Sequence, residues 1–236
     1  MVQKKKYEID YSNPSDGISC APGYHPVREH QRTCKSGKVT IVHEHMAKNP
    51  AHTEHSHYLR SNLYYLFQNG KGNYKPIGKI CGFDEYEEVD PLIRFWLNYW
   101  ESRGLSFPTD MEPKHVKALI AHESSFNPKA KAKSKRSKAT GLMQVLNSTR
   151  SHLSGRADSS GWVEVKDEQI RITQDDLLDP LINVAAGTRW LAYKTSKIPK
   201  GKDKIIYNLL KNYNQWNAEG DKYAKKVLEL YNAKCP

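Results

Sequence analysis

Apolar residues recur at helical spacing along most of the second part of the chain, and this pattern constrains the fold more than any other feature. The stretch that Pro91 opens carries an apolar face made of Leu92, Phe95, Trp96, Tyr99 and Trp100. Asp179 and Pro180 match a helix cap followed by a proline at the first helical position. Residues from about 89 onward therefore predict one mostly helical domain.

The first 85 residues have a different character. Turns that contain glycine or proline alternate with short apolar runs such as Val39–Val42, which indicates strands and loops. A chain of 236 residues suits one sizeable domain or two small ones. We therefore expect an α+β, mostly α protein, with a smaller irregular or β N-terminal domain at residues 1–85 and a helical domain at residues 86–236.

The formal net charge of +11 is unevenly distributed. Residues 1–88 hold 12 Lys and Arg against 10 Asp and Glu, so most of the excess lies in the rest of the chain. A basic field suits an anionic partner, which could be nucleic acid, anionic lipid or a cell-wall polymer. No nucleic-acid-binding motif is recognisable, and no segment is long and apolar enough to span a membrane.

The cysteines leave two alternatives open. Cys20, Cys34, Cys81 and Cys235 form no Cys-x-x-Cys pair. An N-terminal disulfide between Cys20 and Cys34 is one expectation for an oxidising compartment, and buried free thiols are the other.

Histidines are concentrated in the N-terminal part, where seven of the ten lie within residues 1–85. Alternate residues of a strand share a face, so closely spaced histidines can supply metal ligands. The candidates for a structural zinc site are His43, His45, His55 and His57. A polar surface that is rich in histidine is the alternative interpretation.

Glu123 stands out on the helix predicted from Pro113. The apolar residues of this helix are Val116, Leu119 and Ile120, and the next position on the same stripe is Glu123. Burial disfavours the charged form of a carboxyl group and raises its pKa. A carboxylic acid that keeps its proton near neutral pH can act as a general acid on a glycosidic oxygen. The alternative is a glutamate at the helix end that faces water.

Four short motifs occur in order along the chain. They are Glu-Ser-Ser-Phe-Asn-Pro from Glu123, Gly-Leu-Met-Gln from Gly141, Asn-Val-Ala-Ala-Gly from Asn183 and Tyr-Asn from Tyr213. This ordered set resembles the soluble lytic transglycosylase family, whose domain has a lysozyme-like fold, over residues 89–234. The chain departs from the family pattern at Val145, where proline is usual, and at Trp216, which replaces a glycine.

The resemblance implies a reaction and a site. Glu123 would protonate the bond between N-acetylmuramic acid (MurNAc) and N-acetylglucosamine (GlcNAc). It would then act as a base while the sugar's own 6-hydroxyl closes onto C1, which gives a 1,6-anhydro product. Tyr213 would hydrogen-bond near Glu123 and hold it in place. The implied substrate-binding residues are Ser124, Met143, Gln144, Asn183 and Asn214, although Asn183 has a packing or capping role as its alternative. This chemistry requires no metal or other cofactor.

The spacing of acidic residues is compatible with that reaction. Residues 124–157 contain no Asp or Glu, whereas most glycosidases use two carboxylates. A second carboxylate could still come from Asp175 or Asp176. One alternative is therefore a muramidase that hydrolyses the same bond. Another is a non-enzymatic peptidoglycan-binding component of a phage or a secretion machine.

The expected partner is the glycan strand of peptidoglycan, and the expected place of action is the periplasm or the cell wall. The N-terminus lacks the apolar segment of a secretory signal. That leaves delivery by a phage, delivery by a dedicated secretion system, or removal of a signal. For an injected antibacterial toxin, we expect an immunity protein that plugs the groove.

Overall fold

The computed structural model describes residues 20–48, 57–70, 79–132, 138–203 and 205–234. Its strands are β1 (Tyr24–Val27), β2 (His30–Thr33), β3 (Val39–Val42), β4 (His45–Lys48), β5 (His57–Leu59) and β6 (Gln169–Arg171). Its α-helices are α1 (Arg60–Asn69), α2 (Asp90–Ser102), α3 (Pro113–Ser124), α4 (Asn147–Leu153), α5 (Pro180–Ser196), α6 (Ile206–Asn214) and α7 (Ala218–Lys234). Short 3-10 helices cover Asp84–Val89 and Asp175–Leu178. The prediction of an α+β, mostly α protein is confirmed.

The central helix is α5, and most of its residues are buried. It packs against α1, α2, α4 and α6, while α3 packs against α2 and α7. The Asp179 side chain accepts hydrogen bonds from the Leu181 and Ile182 amides, and Pro180 follows the cap, as the sequence predicts. This cap fixes where α5 begins. No helix among the residues described above has the length and apolar character needed to cross a membrane.

The N-terminal strands form two small antiparallel sheets, in which β1 pairs with β4 and β2 pairs with β3. Strand β3 coincides with the apolar run that the sequence indicates as a strand. Its Val39 and Ile41 side chains are both more than half exposed. The β1–β4 sheet is joined to α1 through Asn62, whose side-chain amide donates to the carbonyls of Cys20, Ala21 and Tyr24.

Residues 57–69, which the predicted division at residue 85 assigns to the N-terminal part, share the core of the helical body. Strand β5 pairs in parallel with β6, and Tyr58 packs edge-on against Trp100 at 5.4 Å between ring centroids. Leu63 and Tyr64 of α1 are buried in the same hydrophobic cluster. The division of the chain at residue 85 stays a prediction, and these contacts favour a boundary before residue 57.

Candidate active site

Glu123 lies in the last turn of α3, at the point where this helix ends. Ser125 and Phe126 follow with positive φ angles of 49° and 62°, so the chain turns sharply away from the helix axis. The buried Phe126 ring stacks on Tyr86 at 4.1 Å, which anchors the turn. The side chain of Glu123 is thereby held on the inward stripe that begins with Val116, as the periodicity predicts.

The carboxyl group of Glu123 is partly buried and receives one hydrogen bond. The Tyr223 hydroxyl, on α7, donates to Glu123 Oε1 at 2.6 Å. Burial raises the pKa of Glu123 to about 7, and the Tyr223 hydrogen bond opposes this effect because it stabilises the carboxylate. Burial also raises the pKa of Tyr223 well above its usual value, which keeps it a proton donor. A carboxyl group with a pKa near neutrality can both donate and accept a proton at physiological pH.

A cleft of about 340 Å³ opens beside Glu123. Its lining residues are Glu123, Ala132, Ala139, Gln144, Val145, Leu146, Thr149, Trp190, Tyr213 and Asn214. The structure therefore brings Glu123 together with three residues that the resemblance implies, Gln144, Tyr213 and Asn214. Among these lining residues, all from the described part of the chain, Glu123 alone carries a carboxyl group. Asp176 lies outside the cleft lining and pairs with Arg60 at 3.1 Å.

Tyr213 does not make the hydrogen bond that was expected of it. Its hydroxyl donates to the Met143 carbonyl at 2.8 Å, and the bond to Glu123 comes from Tyr223. The reason is geometric, because Tyr213 lies in the last turn of α6 beside the Gly141–Gln144 turn, whereas α7 packs directly on α3. Tyr213 thus ties this turn to the cleft wall. Sequence reasoning missed Tyr223, since its position on the apolar stripe of α7 predicts only a core residue.

Asn183 fixes the turn and does not face the cleft. Its side chain is fully buried, and its Oδ1 accepts a hydrogen bond from the Met143 amide at 2.8 Å. Its Nδ2 donates to the carbonyls of Thr140 and Leu177 at 2.9 and 2.7 Å. The side-chain oxygen and both N–H groups of Asn183 are therefore engaged within the protein, which favours the packing alternative. The substrate-binding role that the resemblance implies stays a prediction.

Gly141 and Gly187, the glycines of the second and third motifs, allow the Gly141–Gln144 turn to pack closely against α5. Gly141 has a φ of 77°, and a Cβ atom there would lie 2.2 Å from the Asn183 side chain. A Cβ atom at Gly187 would lie 2.3 Å from the Met143 sulfur. Gly141 therefore admits only glycine, whereas a side chain at Gly187 would displace the Met143 side chain, because the turn packs directly against α5. Gln144, which follows, has a positive φ of 45° and presents its side chain to the cleft.

Two further implied substrate-binding residues lie elsewhere. Met143 is fully buried under the turn, so it supports the cleft floor without lining it. The Ser124 hydroxyl donates to the Ile120 carbonyl at 3.1 Å, as is common near a helix end. Ser124 lines a separate and more apolar hollow on the other side of α3, next to Phe83 and Tyr86.

The candidate zinc ligands are only partly described. His43 contacts Glu29 at 3.1 Å, and His45 contacts the His43 carbonyl at 2.8 Å. His57 lies in β5 beside Arg171, and His55 lies outside the described residues. Within residues 20–48, 57–70 and the later described ranges, no three His, Cys, Asp or Glu side chains are grouped as metal ligands. A zinc site in the N-terminal part stays a prediction.

The expected disulfide between Cys20 and Cys34 is not formed. The Cys20 thiol is buried and donates to the Tyr24 carbonyl at 3.3 Å, while the Cys34 sulfur lies 4.0 Å from Thr40 Oγ1. The two residues lie apart in the fold, since Cys20 contacts α1 and Cys34 follows β2 in the turn of the β2–β3 hairpin. Cys81 is disulfide-bonded, and Cys235 lies outside the described residues.

Comparison with known proteins gives a family match and a distant structural neighbour. The family model described as the transglycosylase SLT domain matches residues 108–230, which include Glu123, the Gly141–Gln144 turn, Asn183 and Tyr223. Among solved structures, the 70-kDa soluble lytic transglycosylase from Escherichia coli is similar at 18% identity and a TM-score of 0.35. That alignment covers 75% of this chain but only 26% of the other. No curated protein matches. Because the family model matches slightly more than half of the chain, the protein belongs to the transglycosylase SLT domain family.

Proposed function

We propose that this protein is a lytic transglycosylase that cleaves the β-1,4 bond between MurNAc and GlcNAc in peptidoglycan. Its family comprises lytic transglycosylases that act on this polymer. The observation that carries the proposal is that Glu123 supplies the one carboxyl group among the described residues that line the cleft, and that burial raises its pKa to about 7. The reaction uses Glu123 and the substrate's own hydroxyl, and it needs no metal or other cofactor.

Glu123 acts twice in the proposed reaction. The protonated carboxyl donates its proton to the glycosidic oxygen, and the bond from this oxygen to C1 of MurNAc breaks. The resulting carboxylate then accepts the proton of the MurNAc 6-hydroxyl, whose oxygen forms a new bond to C1. The products are a 1,6-anhydroMurNAc end and a free GlcNAc hydroxyl. Glu123 recovers its proton, and water is not consumed.

The composition of the cleft favours this route over hydrolysis. Inverting hydrolysis uses a second carboxylate about 6.5–9.5 Å from the first, and retaining hydrolysis uses one about 5 Å away. The residues that line the cleft in the described part of the chain supply no such partner for Glu123. Residues 133–137, which follow the lining residue Ala132 in sequence, are lysine, serine and arginine, so this segment contains no carboxylate.

The products of digestion test the proposal directly. Purified sacculi treated with the protein should release fragments with 1,6-anhydroMurNAc ends, which mass spectrometry identifies because they lack one water relative to reducing ends. Fragments with reducing ends would instead identify a muramidase. Release of no fragments would favour a protein that only binds peptidoglycan.

The Tyr223 hydrogen bond gives a prediction on pH. Cleavage by wild type should fall as pH rises through about 7, because Glu123 loses the proton that it must donate. Tyr223→Phe removes a hydrogen bond that stabilises the carboxylate, so the pKa of Glu123 should rise further. We expect the alkaline limb of the kcat/KM profile to shift to higher pH by about one unit, and the rate at the optimum to decrease.

Two matched variants test whether this effect is specific. Tyr231→Phe changes the same helix at a hydroxyl that contacts Glu112, so its pH profile should match wild type. Tyr213→Phe removes the bond to Met143 and should lower the rate without moving the alkaline limb. An unchanged limb in Tyr223→Phe would show that the bond to Glu123 Oε1 does not tune this acid.

The place of action that fits this proposal is the periplasm or the cell wall. Peptidoglycan strands are the proposed partner, and the basic excess of the C-terminal part suits an anionic wall. Delivery by a phage or a secretion system, and an immunity protein that plugs the cleft, stay predictions.

A further inference from the structure

Cys81, which lies shortly before the 3-10 helix at Asp84–Val89, is disulfide-bonded. The sequence contains three other cysteines, which are Cys20, Cys34 and Cys235. Cys20 and Cys34 both remain thiols. Within one copy of this chain, Cys235 is therefore the cysteine left to pair with Cys81.

The end of α7 lies beside the residues that follow Cys81. Cys235 directly follows Lys234, the last residue of α7. Lys234 Nζ lies 5.8 Å from the centroid of the Phe83 ring, and Leu230 lines the same apolar hollow as these two residues. Each cysteine is thus within two residues, along the sequence, of a contact between the two segments. A disulfide requires such proximity, because its two Cα atoms are usually about 4–7 Å apart.

The chain beside Cys81 is fixed to the helix that carries Glu123. The Ile80 amide donates to Asp90 Oδ2 at 2.8 Å, and the Ile80 carbonyl accepts from Lys117 Nζ at 3.2 Å. Lys117, on α3, also forms an ion pair with Asp90 at 2.8 Å, and both side chains are almost fully buried. Separating a buried ion pair is strongly unfavourable. Cys81 therefore follows a firm point of attachment on the body that α2 and α3 form.

Helix α7 brings Tyr223 to Glu123, so the position of α7 along α3 matters for the acid. The Tyr223 hydroxyl donates to Glu123 Oε1 at 2.6 Å. About two turns later on α7, the Tyr231 ring stacks on His115, near the start of α3, at 4.0 Å between centroids. Helix α7 thus runs along most of α3. A cross-link directly after Lys234 would hold the far end of this contact in place.

We infer that Cys81 and Cys235 form a disulfide that fastens the end of α7 to the body of α2 and α3, and that the protein reaches full activity only once this bond has formed. The two thiols lose two protons and two electrons, which convert the disulfide of an oxidant such as oxidised glutathione into two thiols. Such bonds persist in oxidising compartments and are rare in the reducing cytosol. The effect on activity rests on the proposed function, whereas the cross-link itself does not.

Peptide mapping tests the cross-link. The full chain is incubated with oxidised glutathione, and its remaining thiols are alkylated in denaturant. The monomer band of a non-reducing gel is then digested without a reductant. Mass spectrometry should find one linked pair of peptides, which contain Cys81 and Cys235, and should find Cys20 and Cys34 alkylated. Alkylated Cys81, or a bond from Cys81 to another cysteine or to a second copy of the chain, would overturn the inference.

Reduction of the wild-type enzyme tests the effect on cleavage. Dithiothreitol should lower Tm by about 5–15 °C, because the bond closes a loop of about 150 residues. At a temperature where both forms are folded, reduction should lower kcat/KM on soluble glycan strands by about threefold to tenfold. It should also move the alkaline limb of the pH profile in the direction expected for Tyr223→Phe, and reoxidation should restore the original values. Reduced enzyme with the kcat/KM and the limb of the oxidised form would overturn the link to activity.

Cys235→Ser and Cys34→Ser are a matched pair, since each replaces one sulfur with oxygen. Cys235→Ser should behave as reduced wild type whether or not dithiothreitol is present, whereas Cys34→Ser should respond to dithiothreitol as wild type does. An equal response of the two variants would show that the reductant acts elsewhere in the molecule, against the inference. Failure of oxidised wild type to cleave glycan, with the linked peptides present, would instead overturn the proposed function.

Discussion

Glu123→Gln should reduce glycan cleavage by about a thousandfold while leaving the fold intact. Glutamine has the size of glutamate and can still accept the hydrogen bond from Tyr223, but it cannot donate and recover a proton. The measurement is the initial rate of fragment release from purified sacculi at the pH optimum of wild type. A variant that clears sacculi nearly as fast as wild type would rule out Glu123 as the acid.

The same substitution should stabilise the protein at alkaline pH. Because the folded state raises the pKa of Glu123 from 4.5 to about 7, the folded protein binds more protons than the unfolded chain between these values. The free energy of unfolding of wild type therefore falls as pH rises through this window and stays lower above it. A shift of this size corresponds to about 3 kcal/mol as an upper bound. Glutamine remains neutral and avoids this loss.

Chemical denaturation at two pH values checks this expectation. At pH 8.5, we expect the free energy of unfolding of Glu123→Gln to exceed that of wild type by about 1–3 kcal/mol, and at pH 4 we expect little difference. Glu229→Gln removes an exposed carboxyl of α7 and controls for the change in net charge. A stability difference that does not depend on pH would show that burial of the carboxyl is not its cause.

The sequence predicts the helices that carry strong local signals. Helix α3 follows from its apolar stripe, and α5 follows from the Asp179 cap and Pro180. Helix α1 was not predicted, because Ser61 and Asn62 are polar and give no apolar stripe. Both are buried through long-range contacts with Cys20 and its neighbours, which no local pattern reveals.

The candidate site was predicted less completely than the fold. Periodicity indicates that Glu123 faces inward, but it does not identify the group that Glu123 meets there. Tyr223 is separated from Glu123 by a hundred residues, and an inward tyrosine on an amphipathic helix is usually a core residue. Gln144 and Asn214, which the resemblance implies as substrate-binding residues, line the cleft beside Glu123, and their binding role stays a prediction. Met143 and Asn183 belong to the same motifs, yet they serve to build the turn.

Asn183→Leu should be among the most destabilising single substitutions in the protein. Leucine has a similar volume, but it leaves the Met143 amide and the Leu177 carbonyl buried without the Asn183 side chain as partner, while the Thr140 carbonyl keeps only the bond from the Val145 amide. A buried polar group that loses its hydrogen bond costs about 1–3 kcal/mol. We therefore expect a decrease of about 3–5 kcal/mol in the free energy of unfolding, measured by chemical denaturation.

Asn212→Leu is the matched control for Asn183→Leu. Asn212 is also a buried asparagine within a helix, but its side chain makes one hydrogen bond, to the Lys194 carbonyl at 2.8 Å. Loss of this hydrogen bond should lower the free energy of unfolding by about 1 kcal/mol. Equal destabilisation by the two variants would show that the three bonds of Asn183 do not act together on the turn.

The effect of Asn183→Leu on cleavage shows whether Asn183 positions the turn for catalysis or only stabilises the fold. The Met143 carbonyl accepts the Tyr213 hydroxyl, and Gln144 next to it lines the cleft, so a loosened turn displaces groups that face the substrate. At a temperature where both asparagine variants remain folded, Asn183→Leu should lower kcat/KM by about tenfold or more, and Asn212→Leu should not. The alkaline limb of the pH profile should stay near pH 7, because the Tyr223 bond to Glu123 is untouched. Wild-type kcat/KM in folded Asn183→Leu would mean that Asn183 stabilises the core without positioning the cleft.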